Sequence, residues 1–117
     1  MSAVTRYPIA AALMGLSLSL APAAARAEGG EDLARAKGCF ACHAVETESA
    51  APSFRDIARR FGGLANAKLM LVPIVHTGTD RPAVYHWGSA NMPPEGARRP
   101  VTNEEAEALI DYILSVK

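Results

Sequence analysis

"KGCFACHAVE", residues 37–46, holds both cysteines of the chain, Cys39 and Cys42, with His43 directly after the second. Three chemistries use cysteines at this spacing: a redox disulfide, a zinc site and covalently attached haem. A redox C-x-x-C of the thioredoxin kind belongs with βαβ patterning, and no segment here keeps up the period-two alternation of strands. A structural zinc ion takes four ligands, and the fourth would have to come from His76 or His86, with no second cysteine pair to support it. Haem accounts for all three residues at once. Thiols at i and i+3 share one face of a helical turn, so both can add to the vinyl groups along one porphyrin edge. The next residue then offers an imidazole nitrogen to iron, and C-x-x-C-H is the signature of that attachment. The expected cofactor is one haem c bound through Cys39 and Cys42, with His43 on the metal.

Outward from this motif the chain reads as helices and loops. "GEDLARAKG" before it predicts a helix with Glu31 and Asp32 in its first turn and Gly38 as its stop. After it, "ETESAAP" is a loop ending at Pro52. "SFRDIARRF" places Phe54, Ile57, Ala58 and Phe61 on one stripe, with Ser53 and Asp56 at capping-box spacing and Gly62-Gly63 at the end. A third helix is predicted within "NAKLMLVPIVHTG", from near Asn66 to Gly78. Pro73 inside it costs about 3 kcal/mol in a helix interior, which predicts a kink or a later start. Residues 79–100 are crowded with Pro and Gly and read as one long loop, a length usually tied to function. "TNEEAEALIDYILSV" is the clearest helix, opened by a Thr102/Glu105 capping box and striped by Leu109, Tyr112, Ile113 and Val116. The fold class is all-α.

At the N-terminus, Arg6, the apolar run "PIAAALMGLSLSLA" and the small residues Ala25 and Ala27 have the order of a cleavable secretory signal, residues 1–27. The run is short for a bilayer span, so no membrane span is expected after cleavage. Removing 27 of the 117 residues leaves 90, residues 28–117, as the one domain. Arg6 and Arg26 leave with the signal, so ten basic residues face all twelve acidic ones, a net charge near −2. That balance argues against nucleic acid and against an anionic membrane surface as partners. A 90-residue domain has a thin core, which a bulky apolar cofactor would thicken.

Four side chains compete for the second axial position: Met70, Met92, His76 and His86. Met92 is followed by two prolines that stiffen the long loop around it. Met70 falls in a helical apolar pattern and reads as core filler. His76 sits just before the Gly78 stop, where capping of the helix end is expected. His86 shares the long loop with Met92 and stays open as the alternative.

At this point the chain resembles the class I c-type cytochromes, above all the small bacterial monohaem group of the periplasm. The segments that carry the likeness are "KGCFACHAVE", "APSFRDIARRF", "HWGSANMPPEG" and "TNEEAEALIDYILSVK", in the family's order along the whole mature domain. The resemblance implies a class I cytochrome c fold, about four helices wrapped around one covalently bound haem, with the first and last helices crossing. It implies Met92 as the distal ligand beside His43. It implies that the Pro52 carbonyl accepts a hydrogen bond from His43, and that Trp87 donates to a haem propionate. It puts Gly38 at the crossing of first and last helices, with Tyr112 as the aromatic packed there.

Residues 79–87 depart most from the family pattern. Arg98 and Arg99 read as a solvated pair, with a docking role as the alternative. The implied function is that of a periplasmic one-electron carrier rather than an enzyme, a monomer exchanging electrons with periplasmic redox proteins as donor and acceptor. The alternative is a subunit of a hetero-complex, a periplasmic oxidoreductase such as a sulfite or alcohol dehydrogenase. A haem sensor with open iron is disfavoured, because in the gas-binding four-helix cytochromes the attachment motif lies near the C-terminus.

Overall fold

The computed structural model describes residues 23–80 and 91–117, with side chains from Gly29 onward. Among these residues four helices form: α1 Ala23–Ala36, α2 Phe54–Phe61, α3 Ala67–Thr77 and α4 Asn103–Ser115, with a 3₁₀ turn, Cys39–Ala41, between the first two. No strand occurs among the described residues. No helix among them is long and apolar enough to cross a membrane.

Side-chain caps start α2 and α4. Thr102 Oγ1 accepts from Glu105 N at 3.2 Å and the Glu105 carboxylate accepts from Thr102 N at 2.9 Å, a reciprocal box that starts α4. At α2 only half of the expected box forms. Ser53 Oγ accepts from Asp56 N at 3.0 Å, but the Asp56 carboxylate takes the Ser53 hydroxyl at 2.8 Å. Aspartate is one methylene shorter than glutamate, which favours the nearer hydroxyl over the Ser53 amide. α1 already runs at Ala23, seven residues before Gly30, through the alanine-rich "AAARAE", a stretch of good helix formers. Glu31 therefore lies inside the helix, paired with Arg35 at i+4 and 2.9 Å. α3 starts at Ala67, so Pro73 does not delay it. The proline leaves the Leu69 carbonyl without its helical donor, and Leu69 is 78% exposed, where water can serve instead.

α4 is the central element and packs against α1, α2 and α3. It buries Ala106, Leu109, Ile110, Tyr112 and Ile113, a wider face than the stripe expected from its periodicity. Phe54 of α2 is 1% exposed and meets Tyr112 edge-on, ring centroids 5.8 Å apart. The close approach of α1 and α4 falls at Gly30, not Gly38: a Cβ on Gly30 would lie 2.3 Å from Tyr112 Cβ. Gly38 has no neighbour within 4 Å of that position; its φ of +78° ends α1 and starts the 3₁₀ turn. Met70 also differs from expectation. α3 buries Ala67, Leu71 and Val75 at i+4 spacing, and Met70, off that stripe, is 42% exposed.

Candidate functional site

The turn after α1 brings the two thiols together. Cys42 N and His43 N both donate to Cys39 O, at 3.3 and 3.0 Å. In a 3₁₀ turn residues i and i+3 eclipse, so Cys39 and Cys42 stand on one side, unbridged to each other. His43 follows directly. Its Nδ1–H donates to the Pro52 carbonyl at 2.7 Å, and its ring stacks on Phe54 with centroids 5.3 Å apart. With Nδ1 engaged, Nε2 is the one ring nitrogen left for a ligand. Burial pushes the His43 pKa down, with the Pro52 bond opposing it, and a neutral imidazole keeps its lone pair. Burial pushes the Cys39 thiol up, offset in part by the Arg98 charge and a backbone hydrogen bond.

Cys39, Cys42, His43 and Pro52 line a cavity of about 460 Å³, inside the range of organic-cofactor clefts, about 300–1,000 Å³. α2 and α3 supply the apolar wall through Ile57, Phe61, Leu71 and Ile74. Met92 lines the same cavity from the loop after α3. Its backbone is bracketed by Thr79: Met92 N donates to Thr79 Oγ1 at 2.7 Å, and Thr79 N donates to Met92 O at 2.9 Å. Gly78 permits this approach, since a Cβ there would lie 2.2 Å from Met92 O. Two free thiols, an imidazole with one nitrogen available, a thioether and apolar walls are the donor set and lining that a covalent haem needs.

The sequence model of the family Cytochrome c matches residues 27–117. The chain belongs to the cytochrome c family. It is 36% identical over 91 residues to cytochrome c-551 of Pseudomonas aeruginosa, covering 78% of this chain and 80% of that protein. The crystal structure of Nitrosomonas europaea cytochrome c552 superposes with a TM-score of 0.63 at 34% identity, covering 74% of this chain and 99% of that one. The class 1 cytochrome MtoD of Sideroxydans lithotrophicus superposes with a TM-score of 0.55 at 28% identity, covering 76% and 94%. This cytochrome is thus a small class I c-type protein, a family of haem electron-transfer proteins rather than enzymes.

Of the site residues expected in the cytochrome, Cys39, Cys42, His43, Pro52 and Met92 meet at one cavity; Trp87 and His86 lie outside the described residues. His76 does not cap its own helix. Gly78 N closes α3 on Ile74 O, while His76 Nδ1 donates to Glu95 Oε1 at 2.9 Å and His76 O accepts from Glu95 N at 2.9 Å. Arg98 and Arg99 differ: Arg99 is exposed, as expected, while Arg98 is half-buried. Arg99 donates to the Ala36 carbonyl at the end of α1, and Arg98 donates to the carbonyls of Pro93 and Val75. These partners lie five to 63 residues away in sequence, so no local pattern marks them.

Proposed function

We propose that this cytochrome is a periplasmic one-electron carrier with one haem c, held through Cys39 and Cys42 and ligated by His43 and Met92. Haem supplies reversible one-electron exchange at its iron. The carrying observation is that Cys39, Cys42, Met92 and His43, whose Nδ1 is engaged by Pro52, line one apolar cavity. Pro52 would orient the imidazole, a second partner of the kind that fixes ring and tautomer. Ile57, Phe61, Leu71 and Ile74 would exclude water, and Met92 would close the sixth position to small molecules, which suits transfer over catalysis.

Residues 1–27 are read as the cleaved leader, in keeping with a family match that begins at residue 27. The partners are then donor and acceptor proteins of the periplasm, met through small transient interfaces.

The test is the exported, matured protein. Its oxidised spectrum should carry the weak long-wavelength band of sulfur-to-iron charge transfer. Met92→Ala should erase that band, lower the potential and admit carbon monoxide to the reduced protein. A bis-imidazole spectrum unaffected by Met92→Ala would instead assign the distal position to His86.

A further inference from the structure

The loop that carries Met92 is fastened to the exposed carbonyls at the end of α3. A helix leaves its last carbonyls without intrahelical donors, and here two of them are consumed by residues 95–98. Glu95 N donates to His76 O, and the Arg98 guanidinium donates to Val75 O. The same guanidinium donates through Nε to Pro93 O, the carbonyl directly after Met92. Pro93 and Pro94 have no N–H, so the carbonyls are the hydrogen-bonding groups that this backbone can offer. Arg98 is partly buried and lines the cavity that Met92 lines. A planar fork can hold two carbonyls in fixed relation, which a single ammonium cannot, and it does not titrate in the working range.

We propose that Arg98 is a positioning residue for the distal thioether: by bridging Pro93 O to Val75 O it holds the Met92 loop against α3, so that the sulfur stays over the cavity. The proposal rests on the reading of Met92 as axial ligand. Thr79 fixes the backbone of Met92 itself, and the His76–Glu95 pair fixes the loop three residues on. Arg98 acts at the point between them, where no backbone donor is available. Removing it should let the loop lift without unfolding the helices.

The experiment compares wild type, Arg98→Met, Arg98→Lys and Met92→Ala as matured holoproteins. Arg98→Met keeps the apolar stem and removes every donor. It should lose at least half the amplitude of the sulfur-to-iron band and bind added imidazole in the oxidised state at least tenfold faster. Haem staining and helical circular dichroism should be unchanged. Arg98→Lys should fall between it and wild type. Wild-type band and imidazole rate in Arg98→Met would overturn the proposal. If that variant does not mature, Arg98→Lys decides: a wild-type imidazole rate there overturns it. Met92→Ala separates the two readings. Should it keep the wild-type band, the ligand assignment fails and takes the proposal with it. Should it lose the band while the Arg98 variants keep theirs, the positioning role alone fails.

Discussion

A methyl group on Gly30 would sit 2.3 Å from Tyr112 Cβ and 2.6 Å from its Cγ, with α1 and α4 both committed to the core. Gly29, one residue earlier, has nothing within 4 Å. The two positions therefore make a matched pair. Gly29→Ala should be close to neutral, since after the proposed cleavage it is the second residue of the mature chain, where helix propensity counts little. Gly30→Ala overpacks the crossing and should lose about 1–3 kcal/mol. Urea unfolding of the two holoproteins measures the difference; equal midpoints would mean that the helices do not meet at Gly30. The sequence marks neither glycine as special; Gly38 ends α1, as its place after the helical pattern predicts, and does not mark the crossing where family likeness puts it. Met70 teaches the same lesson from the other side: its apolar neighbours suggest burial, yet its position on α3 is set by which stripe α4 covers.

At the scale of elements, the start of α4 ties two helices together. Glu105 closes the cap on Thr102 and also takes the ammonium of Lys37 at 2.7 Å, just beyond α1. The Lys37 hydrogen bond, then the Thr102 amide, hold its carboxyl below the usual carboxylate range. A depressed folded pKa stabilises above the unfolded value, about 4.3, and that stabilisation is lost as pH falls through the folded value. The urea midpoint of wild type should therefore drop on acidification below about pH 4.3. Glu105→Gln should start lower at pH 7 and show a shallower drop; an identical acid slope would remove Glu105 from the account. Thr102→Ala, which strips the cap alone, should cost about 1 kcal/mol at neutral pH. These caps were legible from the sequence because they are local, three residues from donor to acceptor. At Ser53 the same spacing predicts the cap but not that Asp56 reaches the hydroxyl in place of the amide.

For the whole molecule, a cavity of about 460 Å³ lies against Phe61 and Leu71, which also belong to the core. A domain this small buries too little of its own surface to leave such a hole standing. Cys39→Ala with Cys42→Ala, purified without haem, should lose most of its helical circular dichroism and its cooperative melt; a native-like spectrum with a sharp transition would show that the protein core suffices. The all-α class, the helix caps and the haem-attachment motif were determined by the sequence alone, because each depends on residues three or four apart. That His43 turns its Nδ1 to Pro52 was foreseen only through family likeness, since the bond spans nine residues of loop. What the tertiary structure alone decided is the support of Met92. Arg98 meets Val75 across 23 residues, and Thr79 meets Met92 across 13. Those pairs exist because α3 ends with unpaired carbonyls beside a loop poor in donors, a complementarity that appears only once the loop is folded back on the end of α3.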